Sequence, residues 1–246
     1  MTVVILTATV TPNSLKQLRI VDPAERLRQY RLSIKAWSLL PQDVVSQLIV
    51  VETSGADGAE LLGEVPANRR SNVTVHSYSP SPGEIRLGKG AMEWGAIRHV
   101  LTSEPEIEST ATIYKATGRL RLANAARIVE PVPETACRVR MMADRSWADT
   151  RLMGASRQIW EGTILPASNQ VDDEAGSYIE RACAAELSYA AALGRTSILR
   201  FARKPLFIGA SGSNGRRYTS RGGHIVDGPR QLMEAALARV ASRKQV

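Results

Sequence analysis

Residues 3–10 read VVILTATV and residues 47–52 read QLIVVE. Both are short runs of β-branched and aliphatic side chains with no regular polar alternation. A strand covered on both faces has this composition, because it has no solvent face to mark with polar residues. Two such strands pair in parallel only through a crossover, and the intervening sequence supplies one. Leu27, Tyr30, Ile34 and Trp37 recur at helical spacing within residues 24–39, with Asp22 placed as an N-cap and Pro23 in the first turn. Strand, helix, strand is the repeating unit of an α/β fold on a mostly parallel sheet.

The pattern continues along the chain. Residues 72–78 alternate through Val73 and Val75 and read as a third strand. Residues 79–90 are rich in Ser, Pro and Gly and read as a loop, and residues 91–101 return to helical spacing through Met92, Ala96 and Val100. A short strand at 111–114 runs into Lys115-Ala116-Thr117-Gly118-Arg119, and CRVRMM at 137–142 suggests another. The rest looks more helical. Residues 177–193 are Ala-rich and Gly194 stands where a C-cap would, while residues 229–242 form a plausible terminal helix. Residues 211–223 are glycine-rich and basic, as a mobile loop would be. No internal repeat or low-complexity linker divides the chain, so one α/β domain over 1–246 is expected, with helices flanking a mostly parallel, Rossmann-like sheet.

Composition excludes several classes. With 246 residues, 43% apolar and 23% charged, the chain is an ordinary globular protein long enough to need no disulfide or metal staple. Cys137 and Cys183 form no C-x-x-C pair and read as free thiols of a reducing compartment. His76, His99 and His224 lack the spacing of a histidine-built metal site. A net charge of +8 favours anionic partners. Aromatics are only 5% and are not interleaved with basic residues, so no nucleic acid is expected. No apolar run reaches the ~18 residues of a membrane span, and the start lacks a basic signal-peptide region. A cytoplasmic location is the expectation. Arg239, Arg243 and Lys244 offer a peripheral contact with the inner face of an anionic membrane, although three scattered cations suit a solvated tail better.

Ligands of open parallel sheets bind beyond the carboxyl ends of the strands. Three segments there carry chemistry. Gly88-Lys89-Gly90 precedes a helix, where glycines let backbone amides approach an anion and a lysine can meet a phosphate, though the spacing is not that of a Walker A loop. Lys115, Thr117, Gly118 and Arg119 place two cations and a hydroxyl at a strand end, able to hold a diphosphate. Glu52, Ser54 and Gly55 put a carboxylate directly after a buried strand, where it can read a ribose hydroxyl or a base edge.

Taken in order, these segments resemble a group of bacterial polysaccharide-type glycosyltransferases with an A-type, nucleotide-sugar transferase fold. The resemblance runs from a strand ending T-A-T-V-x-P, which includes Thr9, through Arg26-Leu27-Arg28-Gln29-Tyr30 and the V-E-x-S-G turn. It continues with G-K-G-x-x-E (Gly88, Lys89, Gly90, Glu93) and K-x-T-G-R, then Asp149-Thr150-Arg151, Tyr178-Ile179-Glu180 and a G-x-S-G ending at Gly212. It spans roughly residues 3–220. It implies a nucleotide-sugar donor and a glycan, lipid-linked or small-molecule acceptor, in surface polysaccharide biosynthesis. It also implies a nucleotide-binding half at 3–135, an acceptor and catalytic half at 136–225 and a C-terminal helix at 226–246. The 52–57 turn and Thr9 would lie near the nucleoside, and the G-K-G and K-x-T-G-R segments near the diphosphate. The basic stretch at 211–223 would close over it.

One departure matters. Metal-dependent A-type enzymes place D-x-D after the fourth strand, and here that position reads Lys115-Ala116-Thr117. No cofactor is called for. Mg²⁺ or Mn²⁺ stays an open alternative, but hard cations need oxygen ligands, so Lys115, Arg119 and Lys89 are the expected substitutes for the metal. The general base candidates are Asp149, Glu180 and Glu93, with Asp149 first because it follows a predicted strand. Competing readings are a basic nucleic-acid-binding or other non-catalytic α/β protein, a nucleotidyltransferase and a sulfotransferase. Neither the phosphate loop of sulfotransferases nor G-x-G-x-x-[RK] follows the first strand, and no Rossmann G-x-G-x-x-G is present.

Overall fold

The computed structural model describes residues 1–12, 19–210 and 217–218, and the single positions Leu232 and Ala236. In chain order the strands are β1 (Thr2–Ala8), β2 (Gln47–Glu52), β3 (Val73–Ser77), β4 (Thr112–Thr117), β5 (Arg121–Leu122), β6 (Ala136–Met141), β7 (Ala148–Ser156), β8 (Ser197–Leu199), β9 (Phe207–Ala210) and β10 (Arg217–Tyr218). The helices are α1 (Pro23–Ser38), α2 (Gly58–Leu61), α3 (Pro82–Leu87), α4 (Lys89–Ser103), α5 (Ala125–Ile128), α6 (Arg157–Ile159) and α7 (Ile179–Ala192), with further helical turns at 160–170.

Seven strands form one sheet in the order β3-β2-β1-β4-β7-β6-β8. The first four are mutually parallel, and β7 runs antiparallel to both β4 and β6. A smaller sheet joins β10, β9 and β5. The expected α/β architecture with a mostly parallel sheet is therefore the observed one.

Alternation along each strand sorts the core into two layers. Val3, Ile5, Ile49, Val51 and Ile113 face Trp94, Ile97, Trp160 and Leu187 on one side. Val4, Leu6, Leu48, Val50 and Tyr114 face Tyr30, Ile34, Trp37 and Phe201 on the other. α1 starts as the sequence indicates: the Asp22 carboxylate accepts from the Ala24 and Glu25 amides at 3.2 and 3.3 Å.

Three elements differ from the expectation, and each bears on the site. The loop expected at 79–90 contains α3, opened by a capping box in which the Ser81 and Glu84 side chains and amides bond reciprocally. β4 continues through Lys115 to Thr117 where a strand ending at residue 114 was expected, so Lys115 lies inside the sheet. Residues 148–156 form the long strand β7, placing Asp149 in a strand where a loop was expected. The more helical C-terminal part holds for 157–170 and 179–192, with a turn closed by an Asp172–Ser177 bridge between them, but β8 and β9 follow. The expected lid at 211–223 and terminal helix at 229–242 lie outside the described residues, apart from Arg217–Tyr218 in β10 and the helical positions Leu232 and Ala236. Arg239, Arg243 and Lys244 also lie outside them. No helix among the described residues is long and apolar enough to cross a membrane.

Cys137 and Cys183 are free and buried in the layer that contains α4 and α7. Burial pushes the Cys137 thiol up to about 12 and raises that of Cys183 as well. Neither should react with a thiol-specific disulfide reagent at pH 8 in the native protein, because only the thiolate attacks. Both should react once the chain is unfolded in denaturant. Fast modification of the native protein would contradict the packing described.

Candidate functional site

The carboxyl ends of β1 and β2 are tied together by Glu52. Its side chain is buried, and its oxygens accept from the Val10, Ser54 and Ala56 amides at 3.1, 2.8 and 3.0 Å and from the Ser54 hydroxyl. Thr9 and Thr53 share a hydroxyl hydrogen bond of 2.6 Å, and the Thr11 amide donates to the Ser54 hydroxyl at 2.9 Å. Gly55 is exposed at φ 80°, a turn conformation that favours glycine. The acceptor capacity of Glu52 is thus filled by its own loop. The expectation that it reads a ribose or base is corrected: it shapes the two strand-end loops, and Thr9 and Ser54 belong to that brace.

Arg26, in the first turn of α1, fastens the same region from the other side. Its guanidinium donates to the carbonyls of Thr9 at 2.8 Å, Val10 at 3.1 Å and Ile20 at 3.2 Å. It is 4% exposed, and burial lowers its hold on its proton. The sequence shows Arg26 within a pattern without marking it as a site residue. The available signal was an arginine in the first turn of an otherwise core-facing helix that follows a strand end.

Arg119 lies beyond β4 and is 8% exposed, with its guanidinium donating to the Gln29 side chain at 3.1 Å. Gly118 allows this position. Its amide bonds the Thr7 carbonyl at 3.1 Å, and a Cβ there would lie 2.4 Å from that oxygen. Thr117 ends β4, and its carbonyl closes the turn by accepting from Leu120 at 3.1 Å. Lys89 opens α4 from the facing side. Burial lowers the proton affinity of the Lys89 ammonium, Asp173 opposes this, and Arg26 and Arg119 add smaller lowering effects. Arg26, Arg119 and Lys89 come from the first turn of α1, the turn after β4 and the start of α4.

The G-K-G segment holds an anion of the chain's own. The Lys89 amide donates to Asp173 Oδ2 at 2.8 Å, and Gly88, at φ 109°, has room for no Cβ because Asp173 Oδ2 would lie 2.2 Å from it. The first amide of α4, expected to meet a phosphate, is thus taken by Asp173. Burial raises the Asp173 carboxyl above its ordinary range, against the pull of Lys89. Gly90 is equally crowded: a Cβ would lie 2.6 Å from that of Ile179, so the starts of α4 and α7 press together and Glu180 is set beside α4.

Beneath these groups lies Lys115, 0% exposed. Its ammonium pairs with Glu93 Oε1 at 2.7 Å, donates to the Thr150 carbonyl at 2.7 Å and sits 5.4 Å from the Trp94 ring centre. The Thr7 hydroxyl donates to the same Glu93 oxygen at 2.6 Å, and the Thr150 hydroxyl lies 3.4 Å from Glu180 Oε1. Segments 88–93 and 115–119 therefore do meet in space. Lys115 itself is enclosed and paired, so the expectation that it touches a ligand's diphosphate is corrected. Carboxylates are what a divalent cation needs, and a residue triplet beginning with this ammonium does not fit one. Among the described residues no group of three or more His, Cys, Asp or Glu is disposed to hold a metal.

The three base candidates separate. Asp149 is gripped by Arg151 through Nε at 2.8 Å and Nη2 at 2.6 Å, with Arg140 at 3.8 Å. Arg151 in turn stacks over Phe207 and Tyr218 of the small sheet, 4.6 and 5.2 Å from the ring centres. Asp149 is thus engaged with that sheet and is not brought together with Glu93 and Glu180. Glu93 is committed to Lys115. Glu180 is half-buried, and its carboxyl is raised by burial and then by Glu93 and Asp173, against Lys115.

No protein-family model and no curated protein matches this chain. Among solved structures, similarity is found to a candidate nucleotide-diphospho-sugar transferase from Desulfovibrio desulfuricans G20. It is 11% identical with a TM-score of 0.41, covering 81% of this chain and 78% of that one. A 4-diphosphocytidyl-2C-methyl-D-erythritol synthase is 11% identical with a TM-score of 0.38, covering 95% and 98%. Likenesses of this strength do not assign an activity.

Replacing Glu52 by Ala should destabilise the protein by about 3 kcal/mol, since several donors to a buried carboxylate are orphaned together. Ser54→Ala should cost about 1 kcal/mol. Urea unfolding midpoints check both, and a Glu52→Ala variant within about 0.5 kcal/mol of the parent would contradict the bracing role.

Proposed function

We propose that the protein is a transferase that takes a glycosyl group from a nucleotide-diphosphate donor and passes it to a hydroxyl of a glycan, lipid-linked or small-molecule acceptor. The observation that carries this reading is the placement of Lys89 at the start of α4 and Arg119 in the turn after β4, two segments that the Glu93–Lys115 contact joins at the carboxyl end of β4. Cations held at buried strand ends cost desolvation, and a diphosphate entering between them offsets that cost. Arg119 and Lys89 are assigned to the diphosphate, with Arg26 holding the loop above it.

In the reaction, the acceptor oxygen bonds to the anomeric carbon and the bond from that carbon to the distal phosphate oxygen breaks. The electron pair leaves on the nucleoside diphosphate, and the cations stabilise the departing charge. The acceptor's proton passes to a carboxylate. Glu180 is the candidate beside α4, since Glu93 is committed to Lys115 and Asp173 to the start of α4. A carboxyl raised toward neutrality is a better acceptor of that proton.

A thermal-shift panel of UDP, GDP, ADP, CMP and dTDP, with UTP and CTP alongside, each in excess EDTA and with Mn²⁺, tests the reading. A ligand at about 100 times its Kd stabilises by about 2.7 kcal/mol, a shift of roughly 5–10 °C for a chain of this size. At least one nucleoside diphosphate should stabilise the protein in EDTA, and Arg119→Ala should weaken its binding at least tenfold. Stabilisation by nucleoside triphosphates alone would favour nucleotidyl transfer instead. No response to any nucleotide overturns the assignment.

A further inference from the structure

The Lys115–Glu93 pair is the feature of this site that substrate contact does not explain. A lysine at 0% exposure inside a parallel strand is costly unless paired and fully bonded. Its bonds lead away from the cleft mouth and across the sheet. Thr7 of β1 donates to Glu93 of α4, Glu93 pairs with Lys115 of β4, and Lys115 donates to the Thr150 carbonyl of β7. Thr150 in turn directs its hydroxyl to Glu180 of α7. Five elements are joined by one polar chain that crosses an apolar layer containing Trp94, Trp160 and Leu187.

We propose that Lys115 and Glu93 are positioning residues for Glu180: a fixed ion pair that holds the Thr150 backbone and sets the charge beside the Glu180 carboxyl, rather than ligands of the donor. The proposal deepens the transferase reading and rests on it only for the identity of the hydroxyl that Glu180 deprotonates.

The charged and titratable groups that act on Glu180 come from three neighbouring elements and from α7 itself. α4 supplies Glu93 and Lys89, β4 supplies Lys115, the turn before α7 supplies Asp173, and α7 itself supplies Cys183. The two members of the pair act in opposite directions: Glu93 disfavours the Glu180 anion and Lys115 favours it. Removing the Glu93 charge leaves the ammonium uncompensated next to Glu180. Its titration must then move to lower pH, because a nearby unpaired cation favours the ionised carboxyl.

The experiment is a carbon-13 NMR titration of the Glu180 carboxyl in the ligand-free protein, assigned by loss of the signal in Glu180→Gln. Glu93→Gln should lower the midpoint by about one unit or more. Glu93→Gln combined with Lys115→Met should bring it back up, since both charges are gone, and Glu93→Asp should hold it near the parent value. Should Glu93→Gln fail to fold, Lys115→Met serves as the second variant. It removes the cation that favours the Glu180 anion and leaves the Glu93 charge beside it, so it should raise the midpoint. An unmoved midpoint in Glu93→Gln overturns the proposal, as does an unmoved midpoint in Lys115→Met where that variant stands in. No substrate is needed, so a failed nucleotide screen and a failed titration point to different errors.

Discussion

A buried ammonium paired with a half-buried carboxylate organises the centre of this molecule. Lys115 and Glu93 meet between the sheet and α4, where the enclosed ammonium would not be tolerated alone. Breaking such a pair typically costs about 3–5 kcal/mol because the survivor is left uncompensated. The pair ties α4 to β4, and the Thr150 carbonyl ties the same ammonium to β7. The opening of α4, the turn after β4 and the first turn of α7 lie around it, and these are the elements that carry Lys89, Arg119 and Glu180.

Around this centre the site divides into two kinds of charge. Those satisfied within the chain shape it: Glu52 braces the β1 and β2 loops, Arg26 ties down three carbonyls, and Asp149 is gripped by Arg151 against the small sheet. A second group, Lys89, Arg119, Asp173 and Glu180, lies at the opening of α4, in the turn after β4 and around the start of α7. Burial lowers the proton affinity of Lys89, with Arg119 adding to the lowering and Asp173 opposing it, and burial raises the carboxyls of Asp173 and Glu180. Shifts of this kind are common where charges or protons are exchanged.

Much of the frame was legible in the sequence for a simple reason. β1, β2 and α1 are defined by burial on both faces or by a single apolar stripe, and such patterns are local. The failures are equally physical. Lys115 breaks an apolar run, so the pattern points to a strand ending at Tyr114; only Glu93, 22 positions earlier on another element, makes the lysine tolerable inside the sheet. β7 goes unread because Asp149 and Arg151 disguise half of it, and their partners on β9 and β10 lie far along the chain. α3 did carry a signature, Ser81 followed by Glu84, which the surrounding proline and glycine obscured. Among the site residues, the sequence brought the G-K-G-x-x-E and K-x-T-G-R segments to the same place. It offered no means of telling that Lys115 is enclosed, that Asp173 occupies the start of α4, or that Asp149 is gripped by Arg151.

The central claim is that Lys89 and Arg119 receive a nucleotide's diphosphate while Lys115 stays with Glu93. A crystal structure of the protein with a bound nucleoside diphosphate tests it most directly. The account predicts phosphate oxygens within about 3 Å of the Arg119 guanidinium and the Lys89 ammonium, with the Lys115–Glu93 contact intact. Phosphates bound away from β1 and β4, or Lys115 released from Glu93 to meet them, would contradict it.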